Sequence, residues 1–276
     1  MPSDPSDVET IEIRLLLEAI HVKYGYDLRD YSEASIRRRV LAALDRSGLP
    51  HLGELQHKIL TDPEFFGTVL EGLTVQVSDM FRDPGFYNML RTRVVPLLRT
   101  YPFLNVWHSG CATGEEAYSS AIVLYEEGLL DRTQIYATDI SAKALEHAKQ
   151  GVYSEDKLAA FSANYEMSGG TSTFASYYTS AYNQVALKEV LRRKILFFQH
   201  DLVADHVFGE MHIIFCRNVL IYFRRDLRNR VLTKFSQSLC PGGFLCLGTS
   251  ERLTHPDHKV FAEFAPEHQT YRYQGA

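Results

Sequence analysis

Met211-His212-Ile213-Ile214-Phe215-Cys216-Arg217-Asn218-Val219-Leu220-Ile221-Tyr222-Phe223 is the stretch on which the fold turns. Its first part, Met211 to Phe215, is an apolar run that reads as a strand buried in a sheet. Arg224-Arg225-Asp226-Leu227 then opens a helical pattern. Asn218 and Tyr222 follow the strand at the position where open α/β sheets hold their ligands. The plainer reading is a strand end whose polar groups satisfy local backbone. Two further segments shift the balance.

The first is Val106-Trp107-His108-Ser109-Gly110-Cys111-Ala112-Thr113-Gly114-Glu115-Glu116. Phe103 to Trp107 is strand-like and Ala117 to Tyr125 has helical composition. Glycines between such elements allow positive φ and close approach of a ligand to backbone. The spacing of Gly110 and Gly114 is neither GxGxxG nor a P-loop. Glu115 and Glu116 argue against a phosphate and suit a ligand ammonium group. They equally suit the first turn of an ordinary helix.

The second is Gln134-Ile135-Tyr136-Ala137-Thr138-Asp139-Ile140, a short strand ending in an acid at the spacing of a ribose-binding carboxylate. Asp139 could instead cap the helix Ser141 to Gln150, but Ser141 can take that role itself. A glycine turn, a ribose acid and no phosphate site describe a pocket for a nucleoside joined to an amino acid. S-adenosylmethionine, with S-adenosylhomocysteine as its product, fits that description.

On Ser78-Asp79-Met80-Phe81-Arg82-Asp83-Pro84, Thr113-Gly114-Glu115-Glu116, Ala137-Thr138-Asp139-Ile140 and Cys216 through Phe223, the chain resembles the CheR family of chemotaxis receptor methyltransferases. The resemblance runs from about Tyr31 to Glu251. It implies a protein-glutamate O-methyltransferase that uses S-adenosylmethionine and acts on the cytoplasmic methylation helices of chemoreceptors. Arg82 and Tyr222 are then the catalytic candidates, flanking the transferred methyl group. Gln76, Ser78, Arg82, Gly110, Glu116, Asp139, Asp201, Leu202, Asn218 and Val219 are the cofactor-binding candidates. Gln76 and Ser78 stand where the family usually has Asn and Thr, and Ala117 stands where it usually has Pro.

Along the chain, Ile11 to Lys23, Ser35 to Arg46, Leu52 to Leu60 and Pro63 to Leu73 read as helices. The expected organisation is a helical N-terminal domain over 1–73 and a connecting segment over 74–102. A Rossmann-like α/β domain then spans 103–276, with an inserted excursion near 152–193. Phe86 to Leu98 reads as one connecting helix, and Gly242 to Gly248 with Gln269 to Tyr273 as a closing hairpin. The excursion, rich in Gly, Ser and Tyr and without a helical period, suggests a surface segment of short antiparallel strands. In the family, an insertion near this point can dock a receptor tail peptide.

In the second helix, Ile36, Val40, Leu41 and Leu44 share one side, Arg38, Arg39 and Arg46 fall largely opposite, and Arg37 sits at the border. Such charge usually marks a solvated face. The resemblance makes Arg38, Arg39 and Arg46 a docking patch for acidic receptor helices.

The net charge of −5 gives no nucleic-acid signature. Cys111, Cys216, Cys240 and Cys246 lack metal-binding spacing, so no metal is expected. No apolar run approaches the ~18 residues that span a bilayer, and the start lacks a signal-peptide core. A cytoplasmic protein without membrane insertion is expected.

Methyl transfer to a carboxylate needs little acid–base help, because a glutamate is already ionised at neutral pH. It needs desolvation and orientation. Base methylation of nucleic acid is a rival reading, weakened because Val219-Leu220 follows Asn218 where such enzymes carry Pro-Pro. A cofactor-sensing or scaffold protein on the same fold is another, as is a methyltransferase with a substrate other than a receptor.

Overall fold

The computed structural model describes residues 5–74, 78–205, 207, 209–253 and 259–275, with side chains from Val8 onward. The chain forms two compact units. One comprises the N-terminal helices with Val203–Asp205 and Ile221–Val231; the other holds the sheet.

The helical unit contains α1 (Pro5–Tyr24), α2 (Glu33–Ser47), α3 (Leu52–Thr61) and α4 (Pro63–Leu73). Apolar residues three and four apart give each helix one buried face. Ile13, Leu16, Leu17 and Ile20 meet Ile36, Val40, Ala43, Leu55, Ile59, Phe66 and Val69 in a single core. On α2 the buried stripe includes Ala43, while Leu41 and Leu44 are only half-buried. Gly48, at φ 67°, ends α2 in a left-handed cap. Asp62 accepts a bond from Phe65 N at 3.0 Å, and Pro63 occupies the first turn, so α4 starts where its sequence dictates.

The second unit begins with α5 (Pro84–Met89) and α6 (Val95–Leu98), joined by a π-helical turn over Leu90–Val94. A single regular helix was expected here. Pro96 has no N–H, and its ring crowds the carbonyl one turn earlier, so the chain widens ahead of it.

The strands are β1 (Leu104–Ser109), β2 (Thr133–Asp139), β3 (Val152–Ser154), β4 (Tyr178–Ala181), β5 (Gln184–Leu187), β6 (Ile195–Gln199), β7 (Met211–Cys216), β8 (Leu239–Leu247), β9 (Phe261–Ala265) and β10 (Thr270–Tyr273). A 7-stranded sheet runs in the order β6-β2-β1-β7-β8-β10-β9. Its pairs from β6 to β8 are parallel, and β10 lies antiparallel to both β8 and β9. The remaining helices are α7 (Glu115–Glu126), α8 (Ala142–Gln150), α9 (Leu158–Met167), α10 (Glu189–Arg192) and α11 (Arg225–Ser238). The closing hairpin is therefore interrupted, and β9 enters at the edge from a segment that carried no strand signal.

The excursion after α8 forms a second sheet, β3-β5-β4, wholly antiparallel. Tyr182 and Asn183 turn it at φ 54° and 58°, as a two-residue hairpin loop requires. The same excursion also contains α9, which was not expected. Only Phe161 and Tyr165 of α9 are buried, so its sequence shows little contrast between faces. Among the described residues no helix is long and apolar enough to cross a membrane.

Candidate active site

The carboxyl ends of β2, β1 and β7 lie side by side, and β1 sits between the other two. The connections therefore leave in opposite directions, which opens a crevice at this edge. After β1, Gly110 N and Cys111 N both donate to Thr138 O, at 2.8 and 2.9 Å. The turn passes through three left-handed residues, Gly110, Ala112 and Gly114, at φ 75°, 47° and 92°. A Cβ on Gly110 would stand 2.5 Å from Val219 Cγ2, so glycine lets Val219 close on the turn.

Asp139 ends β2 nearly buried. Its Oδ2 accepts from Ala112 N at 2.8 Å and its Oδ1 from Ser141 N at 2.9 Å. Ser141 caps α8, accepting from Ala144 N at 3.2 Å. Burial pushes the Asp139 pKa up, and the backbone donors only partly offset it. A carboxylate with one donor on each oxygen keeps further acceptor capacity for two hydroxyls.

Asn218 follows β7 in a left-handed conformation, φ 63°. Glu251 holds it there: its Oε2 accepts from Asn218 N at 2.7 Å and from Gly248 N at 2.6 Å. Among the described residues the Asn218 amide group itself has no partner. Past β6, Leu202 is buried and Asp201 half-buried.

Arg217 organises this edge, and the sequence reading assigned it no role. It is 2% exposed and donates to Asp83 Oδ2 at 2.7 Å and to Glu116 Oε2 at 2.9 Å. Its guanidinium lies 4.2 Å from the Phe86 ring centroid. One signal was available: a lone charge where the buried strand ends must have internal partners. Glu116 Oε1 lies 3.2 Å from His108 Nδ1, and His108 Nε2 lies 2.7 Å from Ser120 Oγ. Burial alone would raise the Glu116 pKa, but His108 and Arg217 outweigh it and hold the carboxyl below its ordinary value. Glu116, expected to meet a ligand ammonium, is thus already engaged at both oxygens. Glu115 is buried beside it and accepts from Thr113 Oγ1 at 2.7 Å.

Arg82 stands between Phe81 and Asp83, both left-handed at φ 52° and 59°. Phe81 N is fixed by Ser119 Oγ at 2.9 Å. The Arg82 side chain is exposed and its guanidinium has no partner among the described residues. Asp83 pairs with Arg217 instead, so no surface ion pair consumes Arg82. Ser78 is half-buried, and Gln76 lies outside the described residues.

Tyr222, Arg38, Arg39 and Arg46 belong to the helical unit. Tyr222 O accepts from Ser32 N at 2.7 Å. Arg38 is exposed without a partner among the described residues. Arg46 is exposed, donates from Nε to Ala42 O at 3.1 Å, and covers Gly72. Arg39 departs from the expected open face: it is half-buried, donates to Leu73 O at 3.2 Å, and lies 4.8 Å from the Tyr222 ring centroid.

The sheet order, the glycine turn and the strand-ending acid define an S-adenosylmethionine-dependent methyltransferase fold. The family model "CheR methyltransferase, SAM binding domain" matches residues 76–268, and "CheR methyltransferase, all-alpha domain" matches residues 11–74. The chain belongs to the CheR methyltransferase family. It is 52% identical to the "Putative methyltransferase Cher3" of Pseudomonas putida, over 87% of this chain and 88% of that one. It is 30% identical to a "Chemotaxis protein methyltransferase" of Listeria monocytogenes, over 84% of this chain and 86% of that one. Among solved structures, magnesium protoporphyrin IX methyltransferase of Synechocystis with bound S-adenosylmethionine is similar at 14% identity, covering 81% of this chain and 96% of that one with a TM-score of 0.39. S-adenosylmethionine is the cofactor of the sheet domain. The residues present fit it: Asp139 has spare acceptor capacity, and the Asn218 amide is unpartnered among the described residues.

Proposed function

We propose that this chain transfers methyl groups to glutamate side chains on the cytoplasmic methylation helices of a chemoreceptor. The observation that carries the reading is Arg82: an exposed, unpartnered guanidinium braced by two left-handed neighbours. Such a fork suits a carboxylate acceptor, which it can hold in two hydrogen bonds. The chain's relatives among the chemotaxis protein methyltransferases support the receptor as substrate. So do the exposed Arg38 and Arg46 on α2, which suit an acidic helix. Activity in the cytoplasm follows from that substrate.

Bound S-adenosylmethionine supplies an electrophilic methyl group. Asp139 holds the ribose hydroxyls, Asn218 and Val219 flank the nucleoside, and Asp201 with Leu202 meets the adenine. Glu116, paired with Arg217 and in contact with His108, shapes the pocket around the amino-acid end. Arg82 orients the acceptor carboxylate, and Tyr222 is the second catalytic candidate that the family resemblance implies. No residue needs to remove a proton, since the acceptor arrives ionised.

The test incubates the purified chain with methyl-labelled cofactor and chemoreceptor cytoplasmic fragments. Alkali-labile label on glutamate is the expected outcome; label confined to alkali-stable positions would refute the substrate. Asp139→Ala should weaken cofactor binding in calorimetry by about 10- to 150-fold, the loss of a charged acceptor. Unchanged affinity would remove Asp139 from the site.

A further inference from the structure

We propose that Arg39 is a positioning residue for Tyr222, so that docking of an acidic helix on α2 is felt directly at the tyrosine. The proposal rests on the reading that Tyr222 acts at the methyl group and α2 receives the substrate. The geometry places Tyr222 under the control of α2. Its carbonyl accepts from Ser32 N at 2.7 Å, one residue before the helix begins. Its neighbour Phe223 pairs with Tyr31, the two rings meeting edge-on at 5.0 Å. Arg224 N donates to Asp30 O at 3.0 Å, and the Arg230 side chain reaches Asp30 Oδ2 at 2.6 Å. The backbone at and just after Tyr222 is therefore tied to the turn that launches α2.

Arg39 fixes the ring itself. Its guanidinium lies 4.8 Å from the ring centroid. It is held in that place by Ser35 Oγ, 3.3 Å from Nε, and by Leu73 O, 3.2 Å from Nη1. The phenol hydroxyl has no partner among the described residues, so the ring is restrained while its oxygen stays available. Nη2 of Arg39 is likewise unengaged among the described residues. A planar guanidinium can cover an aromatic face and donate in its own plane to a carboxylate at the same time. An acidic side chain that takes Nη2 thus stiffens the group that sets the ring.

Two measurements test this. In 3-fluorotyrosine-labelled protein, the Tyr222 ¹⁹F line is identified by its loss in Tyr222→Phe. Arg39→Gln should move that line, Arg39→Lys should restore part of the shift, and Arg38→Gln should leave it in place. With a chemoreceptor cytoplasmic fragment as substrate, Arg39→Gln should lower kcat by about 3- to 30-fold, the range of a cation–π contact, with only a smaller rise in KM from the lost Nη2 contact and no weakening of cofactor binding. Arg38→Gln should raise KM instead. Arg39→Gln should add no further loss to Tyr222→Phe. An unmoved ¹⁹F line, a pure KM effect, or multiplicative losses would overturn the proposal alone. Wild-type turnover by Tyr222→Phe would overturn the catalytic reading of Tyr222 beneath it, and the proposal with it.

Discussion

Arg217→Met removes the charge that joins three segments of the candidate site while keeping much of the side-chain volume. Deleting one partner of a buried ion pair costs about 3–5 kcal/mol, because the other charge is left desolvated. Here Asp83 is 38% exposed and can rehydrate, and Glu116 keeps His108. The low end, about 3 kcal/mol, is therefore expected. The lost stacking on Phe86 adds about 1 kcal/mol. The pH dependence has a definite sign. Wild-type Glu116 titrates below its ordinary 4.5, so its contribution is complete above that value and is lost as pH falls through the folded pKa. In the variant, burial is opposed by His108 alone, so the carboxyl titrates higher and the penalty disappears once it is protonated. The stability gap should be widest near neutrality and narrow as falling pH protonates the carboxyl, first in the variant. Urea unfolding can be followed through Trp107, the single tryptophan, buried on β1 of the sheet unit. Arg217→Met with Glu116→Gln should recover part of the loss. A gap below about 1 kcal/mol, a gap that does not change with pH, or strict additivity of the two substitutions would refute the argument.

Gly110→Ala forces a side chain into a left-handed position and against Val219, and should cost about 2–3 kcal/mol together with cofactor affinity. Adding Val219→Ala should return the steric part but not the backbone part, as read by calorimetry and thermal melting. Glu126 Oε1 accepts from Tyr165, Tyr177 and Thr171, and Oε2 accepts from Arg91. Burial would raise its pKa, but these donors prevail and hold it low. Glu126→Ala should therefore speed amide hydrogen exchange over 168–177 at neutral pH. The wild-type protein should show the same loosening only as pH falls below about 4.5. Equal exchange in both proteins at neutral pH would show that Glu126 does not anchor the excursion.

Much of this chain was legible because local patterns and final structure agree. Short apolar runs such as Met211 to Phe215, too brief for a buried helix, read as strands between covered faces. Asp62-Pro63 and Gly48 mark helix ends by chemistry that needs no partner. The glycine turn, Asp139 and Asn218 stood out because each breaks an apolar pattern at a strand end. Helix α9 and strand β9 were not legible, since α9 buries only two aromatic residues and β9 only the ends of an alternating run at a sheet edge. Glu251 carried no signal either. Its value lies in two backbone N–H groups brought to it by β7 and β8, far apart in sequence from each other.

The sequence by itself determined the strands and helices that flank the site, the cofactor class and the residues at the strand ends. These depend on periodicity, turn chemistry and spacing along the chain. Only the tertiary structure decided which charges meet. Glu116 read as an open acid until Arg217 and His108 closed on it, and Arg39 as a surface charge until Tyr222 and Leu73 took it. Coulomb and cation–π energies depend on distance and burial through space, which no one-dimensional pattern encodes.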